Sequence, residues 1–190
     1  MGTQEKNVTV YCGSRAGNDP AFIEAAKLVG DGIGRAGFAM VFGGGKNGMM
    51  GASAQACIDA GGHVIGVLPT VLVEIERAHP NIQELHKVND MHERKAMMHD
   101  LADAFIILPG GVGTLDEFFE VATWNQLEIH QKPIVIVNIN GVWDSLLGLL
   151  RGLESTGFIP DSTMAWIHEV KTAADAINLV SSLLGAAATP

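Results

Sequence analysis

The chain has 190 residues, 47% of them hydrophobic and 17% charged, with a formal net charge of −9. That length and composition suit one well-packed domain and exclude a disordered chain. The acidic balance argues against nucleic acid or an anionic membrane as a partner, because both require a basic surface.

In chain order, Val8–Cys12 reads as a first strand. Phe22, Ala26, Val29 and Ile33 then recur at helical spacing, and Gly37 stops that helix. Phe38–Phe42 is a second strand ending in Gly43-Gly44-Gly45. Met49–Ala60 is a small-residue helix closed by Gly61-Gly62, and His63–Leu68 is a third strand. Pro69–Pro80 is irregular and long for a loop, as functional flaps are. Glu84–Asn89 reads as a short strand, Met91–Leu101 as a helix, and Ala104–Leu108 as a buried strand. A glycine loop and a helix to about Glu128 follow, then a strand over Pro133–Val137. Trp143, Leu146, Leu147, Leu150 and Leu153 mark an amphipathic helix; Trp166–Val170 is a last strand and Ala173–Leu184 a last helix. Alternating helices and near-continuous apolar strands predict an α/β fold: a single-domain, doubly wound parallel sheet, Rossmann-like, over residues 1–184, with a flexible tail at 185–190.

No run of about 18 apolar residues is present to span a bilayer. The polar Met1–Asn7 segment lacks the apolar centre of a signal peptide. Two cysteines, Cys12 and Cys57, occur without a CxxC or Cys/His cluster, so no metal is expected and a reduced, cytoplasmic setting is.

Ligands of such sheets bind beyond the carboxyl ends of the strands. Three loops leave from those ends: Gly13-Ser14-Arg15, Gly43-Gly44-Gly45 and Gly110–Thr114. The last lies in Pro109-Gly110-Gly111-Val112-Gly113-Thr114-Leu115-Asp116-Glu117, where a strand gives way to a helix; backbone N–H groups and the helix dipole there suit phosphate. Ser14 reads as a further phosphate donor. Glu117 and Glu120 lie one helical turn apart and share a face. A capping box with Thr114 as N-cap and Glu117 as its partner is the purely local reading, and it is compatible with ligand contact. Arg94 is a cation suited to two-pronged phosphate contact, with Lys95 beside it. His92 and His99 fall near the same region, and Met49, Met50, Met97 and Met98 are candidates for an apolar pocket wall. Gly43, Gly45 and Gly48 satisfy a dinucleotide-binding spacing, but the next strand ends in Val67-Leu68-Pro69 without the acid that would hold a ribose. Neither a P-loop lysine motif nor a serine-hydrolase elbow occurs.

Cys12-Gly13-Ser14, Gly43-Gly44-Gly45, Met91-His92-Glu93-Arg94-Lys95, Pro109–Glu117, Thr123-Trp124-Asn125-Gln126-Leu127 and Ile129-His130-Gln131-Lys132-Pro133 occur in this order. Together they resemble the Lonely Guy family of cytokinin riboside 5′-monophosphate phosphoribohydrolases, whose members are often labelled lysine decarboxylases. The resemblance implies hydrolysis of the N-glycosidic bond of an N6-modified adenosine 5′-monophosphate, with no cofactor or metal, in a homodimer with residues of both chains near the site. It implies Arg94 and Glu117 as the catalytic pair and Gly110, Gly111, Gly113 and Thr114 as the phosphate loop, flanked by Lys95. Glu76 matches an acid that contacts the nucleotide, Asp116 stands where many members have the longer Glu, and Thr123 matches a position near the ligand. Gly43, Gly44 and Glu120 complete the expected binding set. The alternatives are a general AMP hydrolase, which shares every one of these residues, and a non-catalytic nucleotide or cofactor carrier. A lysine decarboxylase would need a Schiff-base lysine for pyridoxal phosphate, and no segment offers that site.

Overall fold

The computed structural model describes residues 6–72 and 77–185. Seven strands form one sheet: β1 (Asn7–Tyr11), β2 (Ala39–Phe42), β3 (Val64–Pro69), β4 (Glu84–Val88), β5 (Ala104–Ile107), β6 (Ile134–Val137) and β7 (Ile167–Val170). All neighbours are parallel, in the order β4-β3-β2-β1-β5-β6-β7. The helices are α1 (Pro20–Arg35), α2 (Gly48–Asp59), α3 (Met91–Leu101), α4 (Val112–Gln126), α5 (Asp144–Ser155), a one-turn α6 (Asp161–Met164) and α7 (Ala173–Leu183). This is the doubly wound architecture the alternation predicts; α6 and two short 3₁₀ turns, Thr70–Leu72 and Ile139–Gly141, carried no sequence signal.

The strand pattern explains the layers. Val8 and Val10 of β1 face a core shared with α1, α2 and α7, where Ala26, Val29, Ile33, Ala54 and Val180 are buried. Tyr11, next to them in the chain, faces the other core with Phe105, Met98, Phe118, Val121 and Leu147. Successive side chains of a strand point to opposite faces, so a strand covered on both sides reads as continuously apolar. The one polar residue in the middle of β1, Thr9, donates to the Met98 carbonyl at 3.0 Å. The edge strand β4 carries Glu84, His86 and Lys87, which discourages pairing with another sheet edge.

The described part of the connection between β3 and β4 is less irregular than expected. Pro69 still belongs to β3, and Ala78 makes an antiparallel bridge with Gly45 of the triple-glycine loop. His79 N–H donates to the Gly44 carbonyl and Lys46 N–H to that of Arg77. Glu76 lies outside the described residues, as do tail residues 186–190. Among the described residues, no helix is long and apolar enough to cross a membrane.

The winding direction reverses at β1, where α1 and α2 pack on one face and α3 and α4 on the other. The chain leaves the loops after β1 and β5 in opposite directions across the sheet, and a crevice opens there at its carboxyl edge.

Candidate active site

A cleft of about 520 Å³ occupies that crevice. Its floor is the join between the loops after β1 and β5: Gly13 N–H donates to the Pro109 carbonyl at 3.0 Å. The loops approach so closely that a Cβ on Gly110 would lie 2.1 Å from Thr114 Oγ1 and 3.0 Å from the Gly13 nitrogen. By contrast, a Cβ on Gly111 or Gly113 would meet nothing within 4 Å, so the outer part of the loop presents open backbone.

Of the helices that begin at this edge, α2 and α4 adjoin the join between the loops, and they differ in the donors they leave open. The first N–H groups of α2, from Met49 and Met50, already donate to the Gly13 carbonyl at 3.1 and 3.3 Å. Helix α4 starts at Val112 with Gly111 as N-cap, and no side chain caps it. Among the described residues nothing accepts from the N–H groups of Val112, Gly113 and Thr114, while Leu115 N–H closes the first turn onto Gly111. Unfilled N-terminal N–H groups with the positive helix end form an anion site. Thr114 is therefore not the N-cap of a capping box: the helix begins earlier, and Thr114 is buried in its first turn beneath Gly110.

Helix α3 supplies the cations. Asp90 caps it by accepting from His92 and Glu93 N–H at 2.9 Å, and Glu93 reaches back to the Asn89 N–H at 2.7 Å. Arg94 is only 4% exposed, and its Nη2 donates to the Gly43 carbonyl at 2.9 Å. That bond aims the guanidinium along the wall that Gly43, Met91, Arg94 and Glu117 share. Lys95, the next residue, points about 100° around the helix axis. Its Nζ meets Asp116 at 3.0 Å and Glu120 at 3.3 Å on α4, so the structure brings Lys95 to those carboxylates and not to the glycine loop. Burial works against the Lys95 charge, but the hydrogen bonds with Asp116 and Glu120 outweigh it and raise its pKa above the ordinary lysine value.

Buried groups at the base of the cleft report the local field. Burial raises the Tyr11 pKa well above its ordinary value; the charges of Glu117 and Glu120 raise it further and Arg94 opposes them. Burial and then Glu117 likewise push up the Cys12 thiol, which makes this cleft-lining cysteine a poor nucleophile.

Of the residues singled out from sequence, Ser14, Gly43, Arg94, Gly110, Gly111, Gly113, Thr114, Asp116 and Glu117 line the cleft together. Gly44, Lys95 and Glu120 are not part of its lining, and Thr123 lies exposed about 15 Å along α4 from Gly113. Met49 and Met50 form apolar wall as expected, but Met98 is buried in the core under α3 and Met97 packs against that core. His92 is exposed and His99 is buried away from the cleft. Sequence reasoning did not assign Arg15, Phe22, Leu72, Met91 or Val142 to the site. Arg15 was findable as a second cation beside Ser14; the others reach the cleft only through packing. Among the described residues no group of three His, Cys, Asp or Glu is arranged to hold a metal ion.

A family model described as "Possible lysine decarboxylase" matches residues 50–180. The cytokinin riboside 5′-monophosphate phosphoribohydrolase of Rhodococcoides fascians is 43% identical over 178 residues, covering 93% of this chain and 90% of that protein. One of the enzymes of that name from Arabidopsis thaliana is 42% identical, covering 94% of this chain and 82% of that protein. Among solved structures, the molybdenum cofactor carrier protein of Chlamydomonas reinhardtii aligns with a TM-score of 0.75 at 20% identity, over 96% of this chain and 99% of that one. The molybdenum cofactor binding protein of Rippkaea orientalis aligns with a TM-score of 0.74 at 18% identity, over the same shares. These two likenesses are of fold alone.

Proposed function

The chain belongs to the family of cytokinin riboside 5′-monophosphate phosphoribohydrolases, and we propose that its cleft is where water cleaves the N-glycosidic bond of an N6-modified adenosine 5′-monophosphate, releasing the free base and ribose 5-phosphate. The observation that carries this reading is the meeting, in one cleft, of the open α4 N-terminus with Arg94 and Glu117. The 5′-phosphate sits on the N–H groups of Val112, Gly113 and Thr114, with Ser14 at the rim. Departure of the base builds positive charge on the ribose, an oxocarbenium-like state. The Glu117 carboxylate stabilises that charge or takes the proton from the attacking water. Arg94, held by Gly43, steadies the phosphate or the leaving base. Binding energy from the phosphate, remote from the bond that breaks, is spent on orientation. Phe22, Met49, Met50 and Val142 make an apolar wall for the base and an apolar N6 substituent.

The decarboxylase description in the family model suits this cleft poorly. A Schiff-base lysine needs a depressed pKa to be a nucleophile, yet Lys95 is held charged by two carboxylates. Lys132, whose pKa burial does lower, donates to the His99 carbonyl and is not part of the cleft wall.

Incubation of the protein with N6-isopentenyl-AMP, its riboside and AMP, without added metal or cofactor, tests the reading. Free base from the modified monophosphate and none from the riboside is the expected result, and the AMP lane sets the breadth. No base from any of the three would overturn it in favour of a carrier.

The enzyme acts, on this reading, as a homodimer in the cytoplasm. Val112 and Phe119 on α4 and Leu127 at its C-cap are exposed at 84, 41 and 63%, and Ile129 follows at 59%. Val112, Phe119, Thr123 and Leu127 fall at spacings of seven, four and four residues along the helix and its C-cap, one continuous face. A partner on that face gives Thr123 a route to a site its own chain does not offer. Cys12 and Cys57 are buried and form no disulfide, in keeping with a reducing compartment. Sedimentation equilibrium is expected to return twice the chain mass; a monomer would remove the role given to Thr123.

A further inference from the structure

The Trp124-Asn125 and His130–Lys132 residues take no part in the proposed chemistry, yet they build a joint with α3 that is polar and closely packed. The His130 ring lies 4.8 Å from that of His99 and 5.7 Å from Phe105, and Trp124 meets His99 edge-on at 4.5 Å. His130 Nδ1 accepts from Lys132 N–H at 3.1 Å, so Nε2 carries the hydrogen and donates to the Val121 carbonyl of α4 at 2.9 Å. Asn125 Nδ2 donates to the His130 carbonyl at 3.4 Å. Lys132 Nζ donates to the His99 carbonyl at 2.7 Å, placing a cation on the negative end of α3.

Three segments thus meet through named hydrogen bonds: the last turn of α3, the third turn of α4 and the loop that follows α4. We propose that this joint is a positioning device that fixes α3 against α4, and through them Arg94 against Glu117, with both imidazoles neutral. The proposal rests on the reading of Arg94 and Glu117 as the reacting pair. The levers are short. Arg94 lies five residues from His99 and Glu117 four from Val121, about 7.5 and 6 Å along their helices. The ion pairs of Lys95 with Asp116 and Glu120 lock the same helices between joint and cleft. A close-packed interior transmits a shift at one end to the other.

The neutral state follows from the surroundings. His99 Nδ1 lies 3.1 Å from Asp100, while its Nε2 is buried with no hydrogen-bond partner among the described residues. A proton there would have no acceptor. His99 faces Asp100, Glu120, Lys132 and His130; His130 faces His99 and Lys132; Lys132 in turn faces Asp100 and Asp103. Burial lowers both imidazoles, His130 from 6.5 to about 4. The unfolded chain binds a proton on His130 near 6.5 and the folded chain only near 4. Stability from this group is therefore complete above pH 6.5 and declines as pH falls from 6.5 to 4.

The test compares His130→Phe, which keeps the ring and loses both its hydrogen bonds, with Lys132→Met, which keeps the stem and loses the donor. Each is expected to lower kcat for the modified monophosphate by about 10- to 100-fold, as a small misplacement of reacting groups does, with KM within about threefold of wild type. Combined with Arg94→Lys, neither is expected to lower kcat beyond Arg94→Lys alone, because both act through one guanidinium. His130→Gln, which keeps a donor and an acceptor, is expected to recover part of the loss and serves if the phenylalanine variant does not fold. Folded variants with unchanged kcat, or effects that multiply fully with Arg94→Lys, would overturn the proposal. If the wild type released no base, the proposed reaction would fail first, and the joint would be judged by melting alone. There, a wild-type midpoint that falls between pH 6.5 and 4 more steeply than that of His130→Phe supports neutral imidazoles; equal slopes refute them.

Discussion

Replacing Glu117 by glutamine is expected to abolish base release while nucleotide binding persists. Glutamine keeps the shape of the side chain and removes the negative charge and the basicity, so only a step that uses the carboxylate is lost. Glu117 lies four residues beyond Gly113, about 6 Å along α4 from the N–H groups assigned to the phosphate. The proposed reaction requires a nucleotide anchored there to bring its glycosidic carbon within reach of that carboxylate. Loss of a positioned acid–base group costs about 10²–10⁴ in rate. Calorimetric titration with N6-isopentenyl-AMP is expected to return an affinity close to wild type, because the proposed phosphate donors are backbone groups that the substitution leaves alone. Arg94 shares the cleft wall, and relief of negative charge there would if anything favour an anionic ligand. Full activity in Glu117→Gln would move the role elsewhere, first to the neighbouring cleft carboxylate of Asp116.

The layers of the fold were legible because strands buried on both faces are apolar throughout, and β1, β5 and β6 announce themselves in that way. The sheet order was not, since which strand pairs with which depends on contacts between residues far apart in sequence. Loop chemistry was legible where glycines are spent on backbone approach, as at Gly13 and Gly110. Side-chain direction was the weak point. Arg94 and Lys95 look like one cationic patch in the sequence, but neighbours on a helix diverge by about 100° and serve different partners. The same geometry divides the methionines: Met49 and Met50 open α2 at the carboxyl edge of the sheet and reach the cleft, whereas Met97 and Met98 sit two turns into α3, against and within the core. His130 and Lys132 were visible only as part of a resemblance, because their partners, His99 and Val121, lie on two other elements.

Gly43→Ala is expected to separate folding from catalysis. A Cβ at Gly43 would lie 1.9 Å from Arg94 Nη2, the atom that donates to the Gly43 carbonyl. The atom in the way is the far end of a flexible side chain, so the guanidinium can yield while β2 and its neighbours stay in place. Compare Gly30, where α1 crosses α2 and a Cβ would meet the Ser53 carbonyl oxygen at 2.0 Å; there backbone must move and the fold itself is strained. Overpacking costs about 1–3 kcal/mol, and the yielding side chain at Gly43 places that substitution at the low end. The melting midpoint is then expected to fall by only about 2–4 °C, the shift per kcal/mol for a chain of this size. Activity is a different matter. The displaced guanidinium loses the acceptor that aims it, and it leaves a site where 4% exposure gives it little room to find another productive pose. A misplaced reacting group costs on the order of 10²-fold, so kcat/KM for the modified monophosphate is expected to drop at least that far. Wild-type kcat/KM in a folded Gly43→Ala would show that the Gly43 anchor does not set the working position of Arg94. A variant that fails to fold would show that Arg94 is held too tightly to yield, making Gly43 a residue of the core before it is one of the site.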